Sequence, residues 1–211
     1  MKRILACKKW VWQMYIENNQ KNSKQKDWNS LDRFIAWLRY RAIDRYVPEG
    51  GVMCDIGCGR EAVFLKRHST KIKVGYGFDF RQTDHTDGNI NLWNNKDMDG
   101  LSVLPDNSCD AVFLIAVLEH LDDPNAVFSE ALRVLKSGGR FVLTTPTKIA
   151  KPILETMAFR LHIINEDEIR EHKHYYNKTE IKELYKKNGF SNYTYKLYMG
   201  GVNSLAIAER D

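Results

Sequence analysis

Asp55 is the first residue whose type and position suggest chemistry. It closes the apolar run Val52-Met53-Cys54, and Gly57 and Gly59 follow at alternate positions before Glu61-Ala62-Val63-Phe64-Leu65 opens a helical pattern. That order reads as a buried strand, a tight turn and a helix N-terminus. Glycines in such a turn bring main-chain N–H groups close to a ligand with no Cβ between. Together with the dipole of the following helix they favour an anionic group. Loops of this kind are where open α/β sheets bind ligands. Cys54 and Cys58 are spaced like metal ligands, but no other residues complete a four-ligand set, so no metal is expected.

Two nucleotide readings compete for this turn. Gly57, Gly59 and Ala62 satisfy the dinucleotide G-x-G-x-x-G/A spacing, with Asp79 about twenty residues on. Against it, Asp55 stands where a dinucleotide-binding strand carries an apolar residue. Asp55-Ile56-Gly57-Cys58-Gly59 resembles motif I of the class I S-adenosylmethionine-dependent methyltransferases. The stretch Leu104-Pro105-Asp106-Asn107-Ser108-Cys109-Asp110, the Leu118-Glu119-His120 turn and Leu135-Lys136-Ser137-Gly138-Gly139 resemble the small-molecule branch of that family. Dinucleotide dehydrogenases do not share them. The resemblance covers about residues 52–211.

The family likeness implies an α/β fold: a seven-stranded Rossmann-like sheet with helices on both faces and a C-terminal antiparallel β-hairpin, its last strand inserted antiparallel. The cofactor it implies is S-adenosylmethionine, leaving as S-adenosylhomocysteine. Asp55, Ile56, Gly57, Cys58 and Gly59 would line the cofactor, and Ala116 would follow the fourth strand beside it. Asp79 ends the second strand, where a carboxylate accepts both hydroxyl hydrogens of a ribose, with Phe80 next to it. Asp97, or equally Asp99, and Met98 stand where the family grips the adenine amino group and ring face. The family's third glycine is Glu61 here. That departure is what favours a non-catalytic, cofactor-binding subunit as an alternative.

Methyl transfer to an alcohol or phenol needs a base. Of His85, His120, His172 and His174, His120 is the first candidate because it follows the central strand, and His174 is the second. Glu119 would orient His120 or cap a helix, and His85 lies in a polar loop. The expected activity is O-methylation of a small-molecule or glycan acceptor. Nucleic acid is the less favoured acceptor: Ala116-Val117-Leu118-Glu119 stands where amino-methylating nucleic-acid enzymes carry Asn/Asp-Pro-Pro-Tyr/Phe.

The elements that must position these residues are legible in the punctuation. Strands are expected over 52–55, 72–79, 89–93 and 140–145, with a fourth after Ser108. Residues 193–199 and 203–209 form a hairpin around Gly200-Gly201. Helices are expected from Pro124 through Leu135 and from an Asn177 cap to Asn188, closed by Gly189. Ser30 is placed to cap a helix whose stripe is Phe34, Trp37, Leu38, Ala42 and Tyr46. Residues 1–47 read as N-terminal helices covering the ligand mouth, and 48–211 as the methyltransferase domain, with a lid insertion at about 147–173. Residues 18–29 read as a polar linker.

Composition bounds the rest. The chain has 211 residues, 43% of them hydrophobic, enough for one filled α/β domain. The net charge of +5 sits mostly at the two ends and reads as solvated surface. Four cysteines, two in the buried turn, point to reduced thiols and a cytoplasmic protein. No run reaches the roughly 18 to 20 apolar residues of a bilayer span. Residues 1–16 mix Lys and Arg with Trp10, Trp12 and Tyr15, which allows weak contact with an anionic membrane surface.

Overall fold

The structure is a computed structural model that describes residues 30–95 and 100–211. Its elements in chain order are α1 (Ser30–Ile43), β1 (Val52–Ile56), α2 (Val63–Arg67), β2 (Val74–Asp79), β3 (His85–Asp87), β4 (Ile90–Asn94) and β5 (Cys109–Ile115). They continue with α3 (Pro124–Val134), β6 (Leu135–Pro146), α4 (Ala150–Glu155), α5 (Glu166–Arg170), α6 (Lys178–Lys187), β7 (Phe190–Tyr198) and β8 (Asn203–Arg210).

One eight-stranded sheet runs β3-β4-β2-β1-β5-β6-β8-β7. Strands β4, β2, β1, β5 and β6 are parallel, while β8 enters antiparallel between β6 and β7. The central strands are buried on both faces, so β1 and β5 read as near-continuous apolar runs. One core joins β1, β5 and β6 to α3, α6 and Phe190, with Phe128, Phe141 and Tyr185 packed edge to face. The opposite core packs Ile43 of α1 and Phe64 and Leu65 of α2 on the other face. Burying each such side chain contributes about 1.5–3 kcal/mol.

The sheet has one strand more than expected: His85–Asp87 pairs antiparallel with β4 at the edge. This short exposed strand carries polar residues and so gave no hydrophobic alternation to read. The strand after α3 starts at Leu135, five residues early, because Leu135 pairs with Cys109 across a register shift. The α1 stripe also differs. Phe34 and Trp37 are 53% and 39% exposed, and the buried residues are Ala36 and Ile43. The inward face is therefore rotated toward Ala36, Tyr40 and Ile43, with Tyr40 stacked on Phe64. Residues 1–16 and the 18–29 linker lie outside the described residues, as do Asp97 and Met98. Among the described residues no helix is long and apolar enough to cross a membrane.

Candidate functional site

The turn after β1 is shaped by contact with the strand beside it. A Cβ on Gly57 would stand 2.3 Å from Val117 Cγ2, and the residue takes φ +78. Only glycine meets both conditions. Gly59 takes φ +71 with nothing within 4 Å of a built Cβ, so that side of the turn is open. Ala62 is left-handed at φ 46, which delays α2 to Val63.

The N–H groups of this turn do not form the anion cradle expected of them. Gly57 and Cys58 both donate to the Phe78 carbonyl, at 2.7 and 3.2 Å. Gly59 donates to Asp79 Oδ2 at 2.9 Å. Gln82 locks the outer strand of the turn, donating to the Gly59 and Arg60 carbonyls at 2.7 Å each. With the donors spent internally, what the turn presents is carboxylate. Asp55 is 2% exposed, and its Oδ1 is buried without a hydrogen-bond partner. Burial, then the neighbouring Asp79, pushes its carboxyl up to about 8. Asp79 is 4% exposed and takes Arg81 on its other side, through the backbone N–H at 2.8 Å and Nε at 3.1 Å.

These groups open into one cavity of about 540 Å³, within the usual range for a small-molecule site. Asp55, Ile56, Gly57, Cys58, Gly59, Asp79, Phe80, Ala116 and His120 all line it. Ala116 holds φ 53, a strained value for a residue with a Cβ, and its N–H donates to Thr144 at 2.9 Å. His174 is placed elsewhere: its Nε2 pairs with Glu180 at 3.1 Å, beside a separate shallow cleft. Glu61 is exposed and does not line the cavity, so the side chain that replaces the third glycine does not obstruct it. Cys54 is buried in the core, while Cys58 faces Gln82.

The far end of the cavity is polar. Glu119 is 1% exposed and accepts a hydrogen bond from the Thr145 hydroxyl at 3.0 Å. His120 Nδ1 lies 3.3 Å from the Glu171 carbonyl, and His172 Nδ1 lies 2.8 Å from the Tyr175 hydroxyl. The two imidazoles meet edge to face at 4.8 Å. Burial, then His120 and Arg39, lowers His172 to about 3. The 147–173 segment roofs this end: Ile153, Leu154, Met157, Ile164 and Ile169 face the cavity, and Lys173 N donates to the Glu119 carbonyl at 2.8 Å. Helix α1 closes another side with Phe34, Ile35, Leu38 and Arg39.

Several residues here escaped the sequence reading. Arg81 and Gln82 follow Asp79-Phe80 directly, and that adjacency was the available signal. Arg39, whose Nε is buried without a partner, lay in a helix read for its apolar stripe. Glu168 and Glu171, both raised chiefly by burial, sit in a segment with no motif.

Comparisons with known proteins show the family and the fold. Residues 28–195 match a family model described as a methyltransferase domain. A 61-residue stretch is 43% identical to a malonyl-[acyl-carrier protein] O-methyltransferase from Hahella chejuensis, covering 29% of this chain and 22% of that protein. A 46-residue stretch is 48% identical to a probable S-adenosylmethionine-dependent methyltransferase from Mycolicibacterium smegmatis, covering 22% of this chain and 18% of that one. The chain thus spans about a fifth of the length of these curated relatives. Among solved structures, an S-adenosylmethionine-dependent methyltransferase from Archaeoglobus fulgidus superposes with TM-score 0.63 at 18% identity, over 86% of this chain and all of that one. One from Thermotoga maritima gives 0.62 at 16% identity, over 97% of this chain and 100% of that one. Phosphoethanolamine N-methyltransferase 2 from Haemonchus contortus, solved with S-adenosylmethionine, gives 0.57 at 16% identity, over 82% of this chain and 52% of that one.

Proposed function

The chain belongs to the methyltransferase-domain family of S-adenosylmethionine-dependent enzymes, and from that premise we propose that it methylates an oxygen of a small-molecule or glycan acceptor. The carrying observation is the continuity of the cavity. The carboxylates of the glycine turn and the polar end at Glu119, His120 and His172 line one continuous cavity, roofed by apolar side chains.

The residues fit the cofactor. Asp55 keeps a buried, partnerless oxygen, and Asp79 offers a carboxylate at the end of β2. Such acceptors suit the ammonium and ribose hydroxyls of S-adenosylmethionine. Ile56, Gly57, Cys58, Gly59, Phe80 and Ala116 supply the walls, and the unpartnered Arg39 Nε is available to a carboxylate. Asp97 and Met98 remain our candidates for the adenine. When bound, S-adenosylmethionine supplies a methyl group already activated on a sulfonium sulfur. The protein's task is then mainly alignment, which contributes about 7–11 kcal/mol. The polar end draws the proton from the acceptor hydroxyl, with His120 the side chain we place against it. The apolar roof keeps bulk water away and favours a compact acceptor over a nucleic-acid strand. The free thiols of Cys54, Cys58 and Cys109 suit a reducing compartment, and we place the protein in the cytoplasm.

The test is a turnover screen with S-adenosylmethionine against pooled sugars, quinols and phenols, reading S-adenosylhomocysteine release. His120→Ala should lower turnover by roughly 10²–10⁴-fold with S-adenosylhomocysteine affinity unchanged. His174→Ala, outside the cavity, should retain activity. Full turnover in His120→Ala, or loss confined to His174→Ala, would reject this assignment.

A further inference from the structure

The polar end of the cavity carries more than a single base requires. One ligand atom from each of Glu119, His120 and His172 lies within 4.8 Å of the others. Each residue is also fixed from behind. The Glu171 carbonyl can only accept, so at 3.3 Å it makes His120 Nδ1 the N–H and leaves Nε2 with the lone pair. His172 Nδ1 lies 2.8 Å from the Tyr175 hydroxyl, which can accept from it and so leave the lone pair on Nε2. Thr145 holds one oxygen of the Glu119 carboxylate at 3.0 Å, and the other is left over. Outer hydrogen bonds of this kind orient metal-ligating imidazoles and carboxylates.

We propose that Glu119, His120 and His172 form a binding site for one divalent transition-metal ion, with its remaining coordination positions open to the cavity. Two imidazoles and a carboxylate are the donor set of catalytic zinc and of other first-row ions, and magnesium or calcium would ask for more oxygen. Ligand bonds of about 2.0–2.2 Å put neighbouring donors about 3–3.5 Å apart. The 4.8 Å group must therefore contract, by rotation of the two half-buried imidazoles. Cys54 and Cys58 take no part. The site goes beyond the reading above and rests on it only for the ion's task, which is to hold and orient the acceptor oxygen; with Nε2 on the ion, His120 acts as its ligand in place of the base role given to it above.

The test uses the full chain, without a polyhistidine tag and freed of metal by chelation, titrated with ZnCl₂ by calorimetry and with CoCl₂ by visible absorption. We expect one ion per chain at micromolar affinity or tighter, weakened at least tenfold in both His172→Ala and Glu119→Gln. His85→Ala, with its imidazole on the exposed edge strand, should bind as the parent does. If a variant melts early, the parent's cobalt spectrum decides: an intense visible band reports nitrogen ligation at low coordination number, and the weak band of the aqueous ion overturns the proposal. Equal binding by parent and variants, or loss only in Cys58→Ser, also overturns it. S-adenosylhomocysteine titrated into the same metal-free protein reads the cofactor separately. Cofactor binding without ion binding sinks the metal site alone, whereas ion binding without cofactor binding sinks the functional reading.

Discussion

Asp55 and Asp79 place two buried acids at one end of a cavity, and the fold bears the cost. In the unfolded chain Asp55 ionises near its ordinary value of 3.8, but in the fold it keeps its proton to about 8. Between those values the folded state holds the extra proton, so this group's contribution to stability falls as pH rises from about 4 to 8. At about 1.4 kcal/mol per pKa unit the full loss is several kcal/mol, reached above pH 8. Asp55→Asn should therefore melt higher than the parent at pH 8 and show a flatter melting profile from pH 5 to 8, while binding S-adenosylhomocysteine more weakly. Parallel melting profiles in calorimetry would contradict the buried-acid account. Asp79 has a second task, since it receives Gly59 N and Arg81. Asp79→Ala removes charge-assisted bonds worth about 1.5–3 kcal/mol each, so S-adenosylhomocysteine affinity should drop at least tenfold. Unchanged affinity in folded protein would reduce Asp79 to a structural acid.

At the scale of elements, the site depends on two loops meeting at one contact. Gly57 follows β1 and Val117 follows β5, and their approach leaves no room for a methyl group. Gly57→Ala combines that clash with a left-handed backbone, and should cost about 1–3 kcal/mol or more. Val117→Ala should relieve the steric part and leave the backbone part. A double-mutant cycle in denaturant should show favourable coupling, and strict additivity would mean the clash is absent. The far side of the domain has its own anchor. Asn177 caps α6 by accepting from Thr179 N and Glu180 N, while Glu180 reaches back to Asn177 N at 2.6 Å. Asn177→Ala should cost about 1 kcal/mol by chemical denaturation without altering cofactor affinity.

For the molecule as a whole, Arg81 links the two halves of the cavity. It is bonded to Asp79, and its charge is also felt by Glu168 and Glu171 in the segment that roofs the cavity. A ribose that takes the Asp79 carboxylate would release Arg81 toward those acids and tighten the roof. Hydrogen exchange over residues 150–170 should slow when S-adenosylhomocysteine binds. In Arg81→Ala, cofactor binding should persist while that protection is lost. Equal protection in parent and variant would separate roof closure from Arg81.

Much of this protein is local enough to read from the chain. The Asp55 turn, the Leu-Glu-His turn, the Asn177 cap and the terminal hairpin each declare themselves within a dozen residues, because caps, turns and buried strands are set by short-range geometry. Those signals located β1, β5 and the terminal hairpin, and with the acid that ends β2 they named nine residues that line the cavity. The rest depends on contacts between distant segments. Whether a turn's N–H groups are free depends on Phe78 and Asp79, twenty residues away. Which face of α1 is buried depends on Phe64. Whether His172 or His174 reaches His120 depends on how residues 147–173 dock on the Glu119 carbonyl, and both lie in a motif that reads alike at either position. Spacing along a chain limits which residues can share one element. Only the docking of elements, through burial and hydrogen bonds paired across them, decides which of those residues share one cavity.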